Sequence, residues 1–474
     1  MQRTYIKDLK RQVGQEVSIS GWVDVVRDQG KMIFFDFRDA TGVVQGVVLT
    51  NHLGEINQSL LRQGYGGPRE IRNEWVLTVK GKVNERPEKM VNKEVLNGDI
   101  ELEILDIEVL NKAETLPFDS TKDTSEIDEE TRLKYRYVDL RSERMQKNIR
   151  LRSEWVQKCR EYLLKNSFTE IETPLLTEST PEGSRDFVVP SRLNPGKFYA
   201  LPQSPQQYKQ LLMVAGFERY FQLARAVRDE DLRADRGFEH TQIDIEMSFI
   251  TQDEILNFLE QMFIESAESL GFAIKEKPFP KITYKEAMVK YGADKFDMRT
   301  EEEKKDGKTL AYAWVVDFPF FEKNDEGGWT FTHNPFSIPK AECLEDHLAG
   351  KNIENIITQQ YDLVCNGYES AGGSIRAHKS EILKATYKIM GYSDQEIEDS
   401  IGHMLEAFKY GAPPHGGIAV GVERNLMNLT GESYLREVQA FPMTRGGKTA
   451  VMNAPKELTD KQLKELGIKI DKKV

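Results

Sequence analysis

Short segments in which apolar and polar residues alternate dominate the first 110 residues, and this pattern restricts the fold more than any other feature. Glycines separate the segments, and no long helical pattern interrupts them. The alternation predicts strands at residues 17–26, 31–38, 43–49, 75–83 and 99–110. Five short strands with glycine turns predict a small closed barrel, and the oligonucleotide-binding (OB) barrel is the commonest design of this size. We therefore predict a five-stranded OB-fold β-barrel over residues 1–110.

The sequence changes character after this region. A stretch rich in Asp, Glu, Thr and Ser comes next, and we predict a linker over residues 111–140. Residues 145–166 then carry apolar side chains, Trp155 among them, at helical spacing. Strand-like and helical segments alternate from there to the end of the chain. This alternation predicts a large α+β domain over residues 141–474, as expected for a chain too long for one ordinary core.

Bulk properties restrict the function only loosely. The net charge of −12 neither requires nor forbids a nucleic-acid partner, because binding depends on where charge sits. The three cysteines, Cys159, Cys343 and Cys365, lack zinc-binding spacing and suit a reducing compartment. No apolar run approaches the ~20 residues of a membrane helix, and residues 1–10 lack the apolar stretch of a signal peptide. We therefore predict a cytoplasmic protein with no membrane partner.

The predicted barrel carries a possible reader of nucleic-acid bases. Arg27, Phe34 and Gln45 lie in or beside its first strands. An aromatic ring and an arginine on one barrel face provide a stacking surface and hydrogen-bond donors for single-stranded bases. The alternative is that Phe34 lies in the barrel core and Arg27 is solvated at the surface. The pattern alone favours this alternative, because each strand contributes residues to both faces of the barrel wall.

The strongest signal in the chain is a loop dense in charge. Arg225 and Arg228 precede three consecutive acids, and Arg233 and Arg236 follow them. Arginine matches phosphoryl oxygens, and acids can anchor ribose, an amine or a metal ion, so the loop could wrap a polyphosphate.

A predicted strand over residues 241–249 follows the loop. Ile243, Ile245, Met247 and Phe249 share one of its faces, and Gln242, Asp244 and Glu246 share the other. The alternative to a binding site is an ordinary exposed hairpin with this polar face in water. The residues alone leave both interpretations open.

Three separated segments resemble the three motifs of class II aminoacyl-tRNA synthetases, in the same order. Motif 1, near residues 145–174, is a long helix and a strand ending in proline; motif 2, near 222–249, contains Val-Arg-Asp-Glu; motif 3, near 411–430, is a glycine-rich strand running into a helix. Segments 180–186, 201–209 and 372–376 narrow the resemblance to bacterial-type aspartyl-tRNA synthetases. It covers essentially the whole chain and implies a catalytic domain built on an antiparallel sheet flanked by helices.

The resemblance implies the reaction and its partners. L-aspartate would be activated with ATP, aided by Mg²⁺, to aspartyl-adenylate and then transferred to the 3′ end of tRNA-Asp. Class II motif 1 usually forms a dimer interface, so a homodimer is expected. Charging of tRNA-Asn as well is left open, because Gln29 in the barrel loop matches neither of the two family patterns there.

The resemblance also implies a role for individual residues, with Arg228, Glu369 and Arg424 as the catalytic set. The expected ATP site comprises Arg228, Asp229, Glu230, Gly237, His240, Glu369, Gly421, Val422, Glu423 and Arg424. The expected aspartate site comprises Glu182, Ser204, Gln206, Lys209, Arg228, Gln242, Asp244, His333 and Arg376. Asp362 and Glu369 are the expected magnesium ligands, and Arg27, Gln29, Phe34 and Gln45 are the expected anticodon contacts. Asp244 is expected either to orient Lys209 or to meet the substrate ammonium.

The chain departs from the family pattern in four places. His240 stands where the family has an adenine-stacking phenylalanine, Gly237 where it has a glutamine, and Asn334 where it has a second histidine. The domain-sized insertion that bacterial enzymes carry between motifs 2 and 3 is expected to be absent near residues 280–317. A short charged stretch, 298–308, takes its place, which is physically easy if the ends of the insertion lie close together.

Two alternative functions remain at this stage. One is an asparaginyl-tRNA synthetase or a tRNA-independent relative that makes asparagine. Arg376 with Lys209 favours an acidic substrate, and the barrel favours tRNA. The other is an inactive tRNA-binding paralogue, against which the presence of Arg228, Glu369 and Arg424 argues.

Overall fold

The structure, a computed structural model, describes residues 2–93, 95–179 and 183–471. The chain divides into two compact units between Lys122 and Asp123, within the stretch predicted as a linker. Among the helices of the described residues, none is both long enough and apolar enough to cross a membrane. The cytoplasmic location stays a prediction.

The first unit is a closed five-stranded barrel, as predicted. Its strands follow one another in the order β1-β2-β3-β5-β4. They are β1 (Glu16–Asp28), β2 (Ile33–Asp39), β3 (Gly42–Val48), β4 (Val76–Glu85) and β5 (Ile100–Asn111). One element was not predicted: a helix, α1 (Leu53–Arg62), connects β3 to β4. It buries Ile56 and Leu60 against the barrel core, and their spacing of four residues is the signal that the strand pattern obscured.

Strand β2 shows how the barrel separates its faces. Ile33, Phe35 and Phe37 are buried in the core, each at most 1% exposed, whereas Phe34 is only partly buried on the outer face. The interpretation of Phe34 as a core residue is therefore wrong. Successive side chains of a strand lie on opposite faces, so Ile33, Phe35 and Phe37 fill the interior of the barrel while Phe34 lies outside.

The second unit is built on an eight-stranded sheet with the order β12-β14-β17-β18-β19-β10-β9-β6. Neighbours pair antiparallel except at the two edges, where β12 with β14 and β6 with β9 are parallel. The strands of this unit are β6 (Thr169–Glu170), β7 (Val188–Pro190), β8 (Phe198–Ala200), β9 (Arg219–Val227), β10 (Glu239–Ser248), β11 (Ala273–Ile274), β12 (Lys281–Thr283), β13 (Thr309–Leu310), β14 (Tyr312–Val316), β15 (Phe321–Lys323), β16 (Trp329–Phe331), β17 (Gln360–Cys365), β18 (Tyr368–Ile375) and β19 (His415–Gly421).

Helices flank this sheet, as predicted. The helices of this unit are α2 (Glu129–Lys134), α3 (Arg136–Asp139), α4 (Glu143–Lys165), α5 (Gln206–Val214), α6 (Gln252–Glu268), α7 (Tyr284–Tyr291), α8 (Glu301–Asp306), α9 (Leu344–Ala349), α10 (Ser380–Ile389), α11 (Asp394–Phe408), α12 (Val422–Thr430) and α13 (Asp460–Leu466). Of these, α4, α6 and α12 share the main core of the sheet. The predicted helix of motif 1 is α4, and the predicted strand-to-helix passage of motif 3 is β19 running into α12. The apolar face of β10 packs into one core with α4, α6 and α12.

Strand β10 is buried on both faces, which overturns the exposed-hairpin alternative. Its polar residues Gln242, Asp244 and Glu246 are 6%, 0% and 0% exposed. A row of polar side chains at this depth needs partners or a ligand. Phe249 does not continue the apolar face as predicted: it lies beyond the strand in the left-handed region, with φ 56°, and its side chain is 66% exposed.

The segment between β11 and β14 is short and well ordered. Capping boxes begin both of its helices, with Thr283 and Glu286 on α7 and Thr300 and Glu303 on α8. Gly307 ends α8 in the left-handed conformation, and β13 then pairs parallel with β11. Caps at both ends stabilise a helix of six residues that would not persist alone.

Candidate active site

The second unit has a cavity of about 330 Å³ over the polar face of β10, β18 and β19. Small residues leave the room for it, since Gly421 and Ala419 of β19 lie opposite Gln242 and Asp244 of β10. Most residues expected from the resemblance line this cavity: Ser204, Gln206, Lys209, Arg228, Glu230, Gly237, His240, Gln242, Asp244, His333, Glu369, Arg376, Gly421, Glu423 and Arg424. The arginines from three distant parts of the chain thus face one space.

Four expected residues are not part of this lining. Val422 is fully buried among apolar side chains, so only its backbone is available to a ligand. Asp229 pairs with Arg185 through both its backbone N–H and its carboxylate, outside the cavity. The expected ATP contacts of these two side chains are therefore not supported by their placement. Asp362 is buried just behind the wall, and Glu182 lies outside the described residues.

A network of four charged side chains forms one end of the cavity. Lys209 Nζ lies 2.8 Å from Asp244 Oδ1 and 3.3 Å from Glu246 Oε2. Arg376 donates from Nε to Glu246 Oε1 at 2.9 Å and from Nη2 to Glu246 Oε2 at 3.2 Å. Ser374 Oγ accepts a further bond from Arg376 Nη1 at 2.8 Å. All four charged residues are at most 2% exposed, so each charge depends on its partners.

Glu246 is the member of this network that sequence reasoning missed as a site residue. Burial alone would raise the pKa of Glu246, but Arg376 and Lys209 lower it below its ordinary value, so it is ionised. Burial raises the pKa of Asp244, with Lys209 opposing that shift. The available signal was the alternation of β10, which puts Glu246 on the same face as Asp244 and Gln242.

Two buried acceptor atoms beside this network have no hydrogen-bond partner among the described residues. They are Asp244 Oδ2 and Gln242 Oε1. Asp244 Oδ1 accepts from Lys209, so only Oδ2 of this carboxylate lacks a donor. A buried acceptor without a donor is costly, which marks this corner as a place for a ligand that carries N–H groups. Gln206, also at this end, donates to Gln210 at 3.0 Å.

The other end of the cavity carries Arg228 and Arg424. Arg228 donates from Nε to Gln203 O at 3.2 Å, and among the described residues no protein acceptor uses its terminal nitrogens. Arg424 lies in the first turn of α12, with Nη2 3.1 Å from Asp235 Oδ2 and Nη1 3.4 Å from Glu369 Oε2. Two guanidinium groups at one end of a cavity can bind a polyanion.

The surroundings of Glu369 and Asp362, on the β17–β18 hairpin, shift their pKa values in opposite directions. Burial would raise the pKa of Glu369, but Lys295 and Arg424 lower it below its ordinary value. Burial raises the pKa of Asp362, with His333 opposing and Glu369 adding to the shift.

The two carboxylates converge on Gly372. A Cβ atom at this position would lie 3.0 Å from Asp362 Oδ1 and 3.1 Å from Glu369 Oε1, so both oxygens border the space that the glycine leaves free. No group of three or more metal-ligating side chains occurs among the described residues. A pair of carboxylates without a third protein ligand suits Mg²⁺, which takes its other ligands from phosphates and water.

The loop that carries His333 and Asn334 is tied to β17. His333 Nδ1 lies 3.9 Å from Asp362 Oδ2, and its ring meets Phe318 edge-on at 4.6 Å. Asn334 donates to Gln360 Oε1 at 3.1 Å and accepts from the backbone N–H of Phe336 at 3.0 Å. The amide at 334 thus fixes the loop by bonds that do not depend on protonation.

Two acids expected to bind ATP already have protein partners. Glu230 accepts from Ser184 Oγ and pairs with Arg236 Nη1 at 2.9 Å. Glu423 accepts from Arg152 Nη2 at 2.9 Å and from the backbone N–H of Thr241 at 3.0 Å. These contacts join motif 3 to α4 and to β10, so Glu423 positions the cavity wall.

His240 lies between the arginines of the cavity. Burial and the charges of Arg228 and Arg424 lower its pKa to about 3, so the imidazole is neutral at ordinary pH. Gln242 Nε2 lies 3.0 Å from His240 Nε2, a contact in which a neutral ring nitrogen accepts. At Gly237 a Cβ would lie 3.6 Å from Glu239 O and from Leu435, which is ordinary van der Waals contact, so the backbone there has room for a side chain.

In the barrel unit the expected base-reading residues form one outer patch. Arg27 holds Asp36 with a two-pronged ion pair at 2.6 and 2.9 Å, and its Nη2 also donates to Gln45 at 3.1 Å. Phe34 lies directly opposite Arg27 in the β1–β2 pairing. Gln29 is exposed in the adjoining loop.

Comparison with known proteins assigns both units. Residues 128–445 match the family of class II tRNA synthetases (D, K and N), and residues 17–110 match the OB-fold nucleic acid binding domain of the tRNA anticodon type. The first match spans more than half of the chain, so the chain belongs to the class II tRNA synthetase family. The fold predicted for both units is confirmed.

Individual relatives narrow the family. An aspartate–tRNA(Asp/Asn) ligase of Rubrobacter xylanophilus is 38% identical over 581 aligned positions, covering 97% of this chain and 95% of the relative. A protein of the same description from Phenylobacterium zucineum is 37% identical over 584 positions, covering 96% of each chain. The predicted resemblance to aspartate enzymes is confirmed. Both alignments are much longer than the 474 residues of this chain, so parts of each relative have no counterpart here.

Solved structures share the fold at lower identity. The asparaginyl-tRNA synthetase of Pyrococcus horikoshii, complexed with asparaginyl-adenylate, superposes with a TM-score of 0.73 at 21% identity, covering 94% of this chain and 98% of that one. The aspartyl-tRNA synthetase of Entamoeba histolytica gives a TM-score of 0.72 at 22% identity, covering 93% and 91%. At these identities the likeness establishes the fold alone.

The neutral state of His240 predicts how stability depends on pH. The unfolded chain takes up a proton at this residue below about pH 6.5, whereas the folded protein does so only near pH 3. Wild type should therefore lose stability relative to His240→Phe as the pH falls from 7 to 5, by about 1–2 kcal/mol. Denaturant unfolding at pH 7, 6 and 5 measures the difference. Parallel stability curves for the two proteins would contradict the buried neutral imidazole.

Proposed function

We propose that this chain is an aspartate–tRNA ligase that makes aspartyl-adenylate from L-aspartate and ATP and transfers the aspartyl group to tRNA-Asp. The observation that carries the proposal is the single cavity in which Arg228 and Arg424 face one end and Lys209 with Arg376 the other. One end suits a polyphosphate and the other a small diacid. The relatives described as aspartate–tRNA(Asp/Asn) ligases support the same reaction, and a cytoplasmic location accords with it.

The side-chain carboxylate of aspartate binds Arg376 and Lys209. A guanidinium has five N–H groups, and Glu246 and Ser374 take three of those on Arg376. One N–H remains on each terminal nitrogen, and these two can hold both oxygens of a carboxylate. Lys209 has a third N–H left beside Asp244 and Glu246. All of these groups donate, so the NH₂ of asparagine would meet donors and be rejected.

The substrate ammonium binds at the unpartnered acceptors. Asp244 Oδ2 and Gln242 Oε1 are buried and lack donors among the described residues, and an ammonium supplies three. Asp244 thus both orients Lys209 with one oxygen and meets the ammonium with the other. Ser204 and Gln206 line the same end. Glu182 is assigned to this subsite by the family resemblance alone.

Activation of aspartate then needs positioning and charge rather than a protein nucleophile. The α-carboxylate of aspartate attacks the α-phosphorus of ATP, and the bond to pyrophosphate breaks. Arg228 has free terminal N–H groups to stabilise the charge that develops at the α-phosphate. Arg424 binds the far end of the triphosphate. Transfer follows when the hydroxyl of the tRNA 3′ end attacks the activated carbonyl and AMP leaves.

Mg²⁺ would be held by Asp362 and Glu369. Their oxygens converge on the space beside Gly372, and two carboxylates plus phosphate oxygens suit this ion. When bound, the ion neutralises phosphate charge. His333, whose ring lies beside Asp362, is assigned to the loop that closes over the substrate.

The barrel is proposed to bind the anticodon through its outer patch. Phe34 is a partly buried aromatic ring on the outer face, with the donors of Arg27 and Gln45 beside it. A half-exposed ring among polar groups suits stacking with an unpaired base. Gln29, in the exposed loop, is positioned to influence whether tRNA-Asn is accepted together with tRNA-Asp.

Two further features complete the proposal. The chain acts as a homodimer through α4, whose Ile149 and Val156 line a groove of about 640 Å³ together with the 64% exposed Phe441. A second copy would cover this apolar surface by twofold symmetry.

The segment 280–317, with the short capped helix α8, replaces the insertion domain of the longer relatives.

The function is tested by charging purified tRNA-Asp and tRNA-Asn with each amino acid. The enzyme should load aspartate onto tRNA-Asp in the presence of ATP, and mass spectrometry of the released amino acid identifies the product. Loading of tRNA-Asn with aspartate would add the second tRNA to the function. Loading of asparagine, or formation of free asparagine without tRNA, would overturn the proposal.

The assignment of Arg376 predicts a selective defect in Arg376→Lys. This change keeps a cation beside Glu246 but removes the two-pronged contact with the aspartate carboxylate. Aspartate-dependent pyrophosphate exchange should fall about a hundredfold, because two charge-assisted hydrogen bonds are lost. Binding of ATP, measured by calorimetry, should change little. Arg192→Lys, at an exposed arginine, is the matched control. Normal exchange in Arg376→Lys would refute the role.

The assignment of Phe34 predicts separate effects on the two half-reactions. Phe34→Ala should raise the KM for tRNA about tenfold, since stacking on one base contributes about 1–3 kcal/mol. Adenylate formation without tRNA should be unchanged. Leu61→Ala, at a 60% exposed apolar residue of the same unit, serves as the control. Equal loss in both half-reactions would mean that Phe34 acts on folding rather than on tRNA.

A further inference from the structure

Lys295 is a cation that the mechanism above does not use. It lies in the loop after α7, and its Nζ is 2.9 Å from Glu369 Oε2. The same oxygen lies 3.4 Å from Arg424 Nη1, the arginine assigned to the far end of the triphosphate. Lys295 therefore reaches the rim of the phosphate end from a part of the chain that contains none of the three class II motifs.

The residue that follows Lys295 is anchored by its ring and by its backbone carbonyl, which restricts the position of the lysine. The ring of Phe296 is 5% exposed and stacks on Tyr291 with ring centres 4.1 Å apart. The backbone carbonyl of Phe296 accepts from the N–H of Gly367, in the turn that joins β17 to β18. The hairpin that carries Glu369 thus also holds the loop that carries Lys295.

The two cations at this rim share one acid. Glu369 Oε2 serves both Lys295 and Arg424, and Arg424 has one further acid, Asp235 at 3.1 Å. Lys295 itself has two N–H groups beyond the one directed at Glu369, and its side chain is 39% exposed. A partly exposed ammonium that shares its acid with another cation can donate to phosphate oxygens without leaving a buried charge unpaired.

We propose that Lys295 is the third cation of the triphosphate site, after Arg228 and Arg424. Together with Arg424, it binds the end of ATP that leaves as pyrophosphate. In the absence of ligand it holds Glu369 in place. A divalent ion that occupied Glu369 would compete for the same oxygen and leave Lys295 free for the phosphates. This inference rests on the proposed ATP site and adds a residue to it.

The test is binding of inorganic pyrophosphate and of AMP, measured by calorimetry with Mg²⁺ present at fixed ionic strength. Lys295→Met should weaken pyrophosphate binding about tenfold, as expected for one charge-assisted contact, and leave AMP binding unchanged. Lys295→Arg keeps the charge and should bind pyrophosphate within about threefold of wild type. Lys290→Met, at an exposed lysine of α7 in the same segment, should bind both ligands normally.

Three outcomes would overturn the inference. Pyrophosphate binding by Lys295→Met equal to that of wild type would show that the lysine does not meet the phosphates. Equal weakening of AMP and pyrophosphate in Lys295→Met would show that it acts by deforming the site. If Lys295→Met and Lys295→Gln both lowered the midpoint of denaturant unfolding, the lysine would be assigned to folding. Failure of wild type to bind pyrophosphate would instead refute the triphosphate site itself.

Discussion

The contact of Glu246 with Arg376 and Lys209 is the interaction on which the rest of the site depends. A carboxylate that is 0% exposed cannot remain charged without these two cations, and the cations in turn need it. Removal of one partner from a buried ion pair costs about 3–5 kcal/mol, so the network has one stable arrangement. That arrangement leaves unused N–H groups on Arg376 and Lys209, which suit a carboxylate. The unpartnered acceptors Asp244 Oδ2 and Gln242 Oε1 lie beside them and suit a group that donates N–H.

The sheet makes such a network possible because small residues lie beside the charged ones. A Cβ at Gly417 would lie 1.9 Å from Glu246 Oε2, so only glycine permits this carboxylate to lie against β19. Ala419 and Gly421 continue the row and leave the cavity over Asp244. The same strand thus supplies a floor for the amino acid and leads into the helix that presents Arg424. The two ends of the cavity are thus joined by one continuous element, β19 and α12.

The segment that connects β11 to β14 has two roles. It completes one edge of the sheet, because β12 pairs in parallel with β14. It also presents Lys295 to Glu369, since Phe296 ties the loop to the β17–β18 turn. Between these parts, α8 is held by a capping box at one end and a left-handed glycine at the other.

The sequence by itself determined the elements, because strand alternation and helical spacing are local properties. It predicted the barrel, α4 and β10, and the three motifs fixed the family; it missed α1, whose two core contacts are too few to stand out. Only the tertiary structure decided that the polar face of β10 is buried rather than solvated, that Glu246 contacts Arg376 and Lys209, and that Asp229 pairs with Arg185. It also decided that His240 is neutral, since a pKa is set by neighbours distant in sequence. Burial and charge are sums over all surrounding residues, and a pattern along one strand cannot contain them.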